Sequence, residues 1–367
     1  MLQKITTTLL LLLVCALLMQ AQKIQVIDSD GNPIAYVCVT DEKGALVGST
    51  DTDGWLENTK GNSVLNFSHI AFEDMTISVA DIVDGRIVMQ EVDFNLPQIE
   101  VKPKQLAYVQ TYYRLIYFDE DGPIYYRGGV IDNTYEFAKE KTQSKTRSLS
   151  KGKNGFLRFL ISTFVGRYID KMGQIRKEST YQKLLRYQSE GKLSIAENGP
   201  ERQIVSDTVS TLGYIDTDTD ARLRTTSFDV WAYNDHVKAT EAAAKAAAKG
   251  KQPKEKEEKY ETQDSYYEVY RIDEEGRSRI DDFVMRQLQV NGRHKSDGKE
   301  FMILLQAYTT DRDYVDKKDY KQLRNDNKVD MDPRELKQFE QAHKIPPLAP
   351  NVQNQIDKLF EKELNKK

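Results

Sequence analysis

From residue 22 the chain alternates short apolar runs with clusters of turn formers. Ile24, Val26 and Ile27 precede Asp30-Gly31-Asn32-Pro33, and the run at 34–40 precedes Glu42-Lys43-Gly44. Residues 46–50 lead to Thr52-Asp53-Gly54, followed by Trp55-Leu56. The runs at 64–68, 75–79 and 86–89 continue the series, and 98–101 offers a closing strand. Short strands punctuated by Gly, Asp and Pro predict an antiparallel sandwich or barrel. Seven or eight strands within about eighty residues suit a sandwich.

Beyond residue 104 the pattern mixes strands with helices. The aromatic run 108–118 and the run 124–127 flank Glu120-Asp121-Gly122-Pro123, which predicts a hairpin that Gly128-Gly129 breaks. Further strands are expected at 204–214, 227–233, 266–272, 283–290 and 301–308, with Glu275-Gly276 and Asn291-Gly292 as turns. Phe156, Leu157, Leu160, Ile161, Phe164 and Val165 recur at helical spacing, predicting an amphipathic helix over 156–172 between Gly155 and Gly173. Such a helix suits packing on a sheet or lying in a membrane interface. A second short helix is expected at 180–188, and polar helices at 332–343 and 351–366 flank Pro346-Pro347. The segment Glu241-Ala-Ala-Ala-Lys245-Ala-Ala-Ala-Lys249 has high helix propensity, and 252–261 is charged. Residues 239–261 are therefore expected to be a solvent-exposed insertion, partly helical and partly disordered. The expected organisation is a β-sandwich at 22–104, an α+β domain with an antiparallel sheet and helices at 105–345, and a helical tail at 346–367.

The first residues are of another kind. Lys4 precedes an apolar stretch at 9–18 that is too short to span ~30 Å of hydrocarbon. A basic start, a short apolar run and the small Ala21 predict a secretory signal peptide at 1–21, cleaved before Gln22. A lipoprotein signal built on Cys15 is disfavoured by the bulk of Val14 before it. Cleavage would leave Cys38 as the one thiol, which excludes an internal disulfide. Cys38 lies in an apolar run, so burial in a strand is the expected fate.

Composition narrows the function classes. The chain has 367 residues, 39% hydrophobic and 30% charged, with a formal charge of −4. That balance disfavours a nucleic-acid binder. The charge is polarised. Residues 139–192 carry 14 Lys or Arg against 4 Asp or Glu, whereas 22–104 carry 6 against 14. The basic region suits attraction to the acidic one, peripheral contact with phosphate-rich lipid, or a solvated face.

The succession Asp30-Gly31-Asn32-Pro33-Ile34, Ala35-x-Val37-x-Val39, Thr52-Asp53-Gly54-Trp55-Leu56 and Leu65-Asn66-Phe67-Ser68-His69-Ile70-Ala71-Phe72 resembles the carboxypeptidase regulatory-like domain. Leu96-Pro97-Gln98-Ile99-Glu100-Val101 resembles that family's closing strand, while Ala71-Phe72 departs from its usual Gly-Tyr pair. The resemblance covers residues 22–104. It implies a transthyretin-like, seven-stranded sandwich that serves as an accessory, non-catalytic domain in exported proteins of Gram-negative bacteria. In that family the domain commonly precedes outer-membrane transporters. Here the residues after 104 are too few and too regularly charged for a large barrel of ~22 strands.

Candidate chemistry is sparse. His69, His236, His294 and His343 each lack a Glu three residues on, so no zinc-carboxypeptidase motif is present. No Gly-x-Ser-x-Gly elbow or phosphate-binding Gly-Lys-Ser/Thr loop occurs. Asp51-Thr52-Asp53-Gly54 fails as an EF-hand loop because Lys60 stands at its bidentate end. Asp216, Asp218 and Asp220 are expected in a solvated loop. No catalytic, cofactor or metal residue is assigned. The expectation is a non-enzymatic, exported protein, periplasmic or outer-membrane associated, that recognises an envelope protein or glycan. Two alternatives stand beside it. A lipid or lipoprotein carrier would hold a dry cavity beneath the 156–172 helix. A hydrolase would hold paired carboxylates in a deep pocket.

Overall fold

The computed structural model describes residues 23–57, 59–92, 105–152, 175–176, 178–229, 260–318 and 330–361. The expected signal peptide, the closing strand at 98–101, the 156–172 helix and positions 239–259 of the insertion lie outside these residues. The chain forms two compact units. The first comprises the described residues of 23–42 and 47–91, and the second those from 105 onward together with 43–46.

In the first unit, strands β1 (Ile24–Ile27), β4 (Trp55–Leu56) and β7 (Arg86–Val88) form a sheet of order β4-β1-β7. Strands β2 (Cys38–Asp41), β3 (Leu46–Ser49), β5 (Val64–His69) and β6 (Phe72–Ser78) form a second sheet of order β3-β2-β5-β6. β1 runs antiparallel to β4 and parallel to β7. Val26 and Ile87 from one sheet share a core with Val39, Leu65 and Phe67 from the other. The expected strand at 34–40 is shorter than its apolar run suggests. Tyr36 has φ 62°, and the strand begins only at Cys38. Thr50 imposes this bend: its buried hydroxyl accepts from Val37 N and donates to Ile34 O, each at 2.9 Å.

The second unit is built on a ten-stranded antiparallel sheet. Strands β8 (Leu106–Asp119), β9 (Gly122–Glu136) and β10 (Lys141–Gly152) run outward as successive hairpins. The chain then resumes at the far edge with β11 (Ser194–Glu197) and β12 (Arg202–Ser206). It returns through β13 (Thr211–Asp218), β14 (Leu223–Asp229), β15 (Tyr260–Arg271) and β16 (Phe283–His294) to β17 (Glu300–Val315), which pairs with β8. The spatial order is β10-β9-β8-β17-β16-β15-β14-β13-β12-β11. The two sequence-distant parts therefore meet at the β8–β17 ladder.

The central strands are covered on both faces, which is why β8 reads as a nearly continuous apolar run rather than an alternation. One face carries Tyr113, Leu115, Ile131, Leu288, Ile303 and Leu305 in a single buried cluster. The other faces two C-terminal helices, α2 (Pro333–Ala342) and α3 (Pro350–Leu359). Asp332 caps α2 by accepting from Arg334 N and Glu335 N, and Pro333 opens it. α3 buries Val352 and Ile356 and packs against β9. None of the helices among the described residues is long and apolar enough to cross a membrane.

Several expectations are corrected here. Gly128-Gly129 does not break a hairpin, since β9 runs through both. A Cβ on Gly129 would stand 2.1 Å from Arg147 O, so glycine lets β10 approach closely. Asn291-Gly292 is not a turn but the continuation of β16, and a Cβ on Gly292 would meet the Phe301 ring at 2.1 Å. That ring stacks on Tyr117 across the sheet. The run 204–214 is a hairpin of two strands rather than one, because Asp207 turns the chain by accepting from Val209 N and Ser210 N. Asp216 belongs to β13, where Arg202 on β12 stands 3.5 Å from it and relieves its repulsion from Asp218. The insertion ends before Tyr260, where β15 begins.

Replacing Gly129 by Ala should cost ~2 kcal/mol or more, because the β9–β10 backbones cannot separate without losing ladder bonds. Urea denaturation compared with Ser150→Ala on the neighbouring edge strand β10 checks this. Equal stabilities would show that the edge relaxes around the methyl group.

Candidate functional site

The polar groups of the second unit concentrate where helix α1 (Thr180–Ser189) lies on the sheet. Ser179 and Gln182 form a reciprocal capping box: Ser179 Oγ accepts from Gln182 N at 3.2 Å, and Gln182 Oε1 accepts from Ser179 N at 2.9 Å. Leu184 anchors the helix in a cluster with Val205, Leu212, Ile215 and Phe228. The box leaves the N–H of Thr180 available, and it donates to Glu268 Oε2 at 2.8 Å.

Glu268 is the centre of the site. It sits on β15 directly across from Arg286 on β16 and Thr226 on β14. Both Glu268 and Arg286 are fully enclosed, and Arg286 Nε donates to Glu268 Oε1. Arg176, whose side chain is 27% exposed, lies 3.6 Å from the same oxygen. Its guanidinium also stands 5.3 Å over the Tyr266 ring. Arg286 reaches Tyr270 Oη at 3.4 Å. Burial pushes the Glu268 carboxyl up, but Arg286, Arg176 and the Thr180 bonds more than offset it and hold it at about 2.

A second polar network occupies the opposite face. Arg114, buried on β8, donates to Gln306 Oε1 at 2.7 Å, to Pro346 O at 2.8 Å and to Tyr308 Oη at 3.4 Å. Gln306 passes a bond on to Gln287 at 2.9 Å. Tyr112 donates to Glu340 on α2, and Phe339 stacks on the Tyr112 ring. This network ties α2 and the α2–α3 connection to the sheet. Beside it, between α2, α3 and β9, lies a cleft of about 20 Å³, room for about one water molecule. Its two carboxylates are engaged: Glu340 with Tyr112, and Asp357 with Lys337 and Gln353.

Of the residues weighed for chemistry from the sequence, Cys38, His69 and Asp51 take no part in these networks, whereas His343 at the end of α2 stacks on Phe339. Cys38 is buried on β2, and burial, aided by Asp74, pushes its thiol up to about 12. His69 is buried at the end of β5, and burial lowers its pKa to about 3, so the ring stays neutral. Asp51 accepts from Asp53 N and Trp55 N, a turn-forming role. Among the described residues no group of three or more His, Cys, Asp or Glu is placed to hold a metal ion.

What the sequence reading missed is the trio of buried arginines, Arg114, Arg224 and Arg286, together with Glu268. A usable signal existed for two of them. Arg114 interrupts the apolar run 112–118, and Arg286 stands inside the strand expected at 283–290. A charge within a strand buried on both faces requires a buried partner. Which partner it has depends on strand order, which no local pattern carries.

Glu268→Gln should destabilise the protein by ~3–5 kcal/mol, because two guanidiniums lose their counter-charge in a dry site. Equilibrium unfolding checks the magnitude, and a loss below ~1 kcal/mol would mean that water reaches the cluster. The pH dependence has a definite sign. The folded pKa lies below the unfolded 4.5, so the contribution is fully present above that value. It is lost as pH falls from 4.5 through about 2. Cys38 should react with a maleimide only after denaturation, as mass spectrometry of native and unfolded samples can show.

Comparison with known proteins adds no relative: no family model matches the chain, and no curated protein matches it.

Proposed function

We propose that this chain is an exported accessory protein of the cell envelope that acts by non-covalent recognition of an envelope protein or glycan. The first unit is read as a seven-stranded, transthyretin-like sandwich of the carboxypeptidase regulatory-like kind. Two sheets of three and four strands around one apolar core support that reading. Export rests on the basic start, apolar run and Ala21 at the N-terminus.

The observation that carries the recognition role is the edge strand β10. It pairs with β9 along all 12 of its residues. On its other side, among the described residues, it makes one bridge, Ser148 with Asp330. Its pleat sorts the sequence Lys-Thr-Gln-Ser-Lys-Thr-Arg-Ser-Leu-Ser-Lys-Gly into two rows. Lys141, Lys145, Arg147 and Lys151 fall on one row, and Thr142, Ser144, Thr146, Ser148 and Ser150 on the other. Lysines on an edge oppose self-association. The same charges favour an acidic partner, and the hydroxyl row offers donors and acceptors to a polar one.

The alternatives have weaker support. A carrier would hold its cavity beneath the 156–172 helix, which lies outside the described residues; among the described residues one face of the sheet is filled by the packed Tyr113, Leu115, Leu288, Ile303 and Leu305. A hydrolase would use a free carboxylate pair, whereas the pair in the cleft is engaged.

Cross-linked capture from cell envelope with the mature chain tests the proposal. Wild type should retain a specific acidic component, and Lys145→Glu with Arg147→Glu should lose it ~tenfold or more. Raising salt to ~0.5 M should have a similar effect on wild type, since the contact is solvent-exposed. Undiminished capture by the double variant would move the contact away from β10. Failure to capture anything specific would overturn the recognition role.

A further inference from the structure

The three buried arginines are satisfied on different terms. Arg286 has the carboxylate of Glu268, and Arg114 has three oxygen acceptors. Arg224 has neither. It lies on β14 with 9% of its surface exposed, and its Nε is enclosed with no acceptor in reach. Among the described residues its guanidinium makes no hydrogen bond or ion pair. Its one strong contact is with Tyr181 of α1, whose ring centroid stands 4.0 Å from Cζ.

A guanidinium carries five N–H donors and stays charged in proteins. Enclosing the Arg224 Nε–H without an acceptor is costly, and native chains seldom tolerate it without a reason. A cation–π contact of this kind is worth ~2 kcal/mol at most and uses a face of the ion, not its N–H groups. The donors thus remain unspent around the edge of the plane.

Of the acidic groups on the turns that flank β14, four are committed elsewhere, and Asp220 is exposed and makes no contact with Arg224. Asp273 and Glu275 pair with Arg277, and Glu274 pairs with Arg222. Asp218 accepts from Ala221 N. On the same sheet face Arg224 stands opposite Tyr270, whose strand carries Glu268, and Glu268 is already shared between Arg286 and Arg176. Glu268 is thus committed to Arg286 and Arg176 and does not neutralise Arg224.

We infer that Arg224, stacked on Tyr181, is the anchor of an anion-binding site that takes the carboxylate or phosphate group of a ligand. Tyr181 shields one face of the guanidinium, so the anion enters along its edge and accepts two parallel N–H bonds. That fork geometry suits a planar carboxylate or a phosphate and excludes a monatomic ion as an equal ligand. The site stands on Arg224 and Tyr181 and does not depend on the role given to β10.

The test uses the full mature chain with inorganic phosphate and acetate as probes, and chloride at equal ionic strength as control. The readout is the Arg224 Nε–H resonance. Phosphate or acetate should shift it saturably below ~50 mM, a range suited to a single-arginine contact, and chloride should not. Whichever anion saturates names the ligand class. Arg224→Lys keeps the charge but not the fork and should bind at least ~fivefold more weakly. Arg224→Gln should lose the stabilisation that the anion gives in thermal unfolding. A second measurement needs no variant: the binding anion should protect Arg224 from phenylglyoxal, as read by peptide mass mapping. Absence of a saturable shift with both anions, an equal response to chloride, or no protection would overturn the site. So would anion stabilisation that persists undiminished in Arg224→Gln.

Discussion

The second unit depends on the ladder between β8 and β17. These strands are the first and last of its sheet in sequence, yet they are neighbours in its middle. Their register sets Arg114 beside Gln306, Tyr112 beside Tyr308 and Leu115 beside Leu305. Without it the sheet would fall into two pieces, β8–β10 and β11–β17, each with a long unpaired edge in apolar surroundings. Buried backbone donors and acceptors must be paired, so that edge is expensive to expose. The cost of closing so long a loop is entropic and is met before the contacts form. A fold dominated by such pairings is expected to assemble slowly.

Enclosure on both faces has a second consequence, for charge. A strand in this position has no wet side on which to place an arginine. Each charge buried there is either neutralised by the fold or left for something else to neutralise. Glu268 and Arg286 neutralise each other and, through the Thr180 N–H, fix the start of α1 on the sheet. Arg114 uses neutral oxygens and fixes the chain between α2 and α3. These two arginines explain how helices are held on opposite faces of one sheet. Arg224 holds α1 only through the Tyr181 ring, and its unspent donors set it apart from purely structural charges.

Much of the fold was legible in the sequence. The hairpin at 108–127, the helix beginning at Thr180 and the strands near 266–272, 283–290 and 301–308 were all expected from periodicity and turn chemistry. The errors share a physical origin. Gly128-Gly129 and Asn291-Gly292 look like punctuation in a linear chain. In the sheet they are places where a neighbouring backbone or ring comes too close for a side chain. Likewise the apolar run at 34–40 promised one strand, and the hydroxyl of Thr50 bends it.

The sequence by itself determined most of the local elements, the buried and inert state of Cys38, and the basic character of the stretch that becomes β10. Those properties follow from side-chain polarity and spacing within a few residues. Only the tertiary structure decided the strand order, the parallel β1–β7 pair, the acceptors of Arg114 and Arg286 and the absence of one, among the described residues, for Arg224. Those depend on which residues, some of them as many as 232 positions apart, are brought together. No pattern along the chain records that pairing, because register is set by the packing of whole strands against one another.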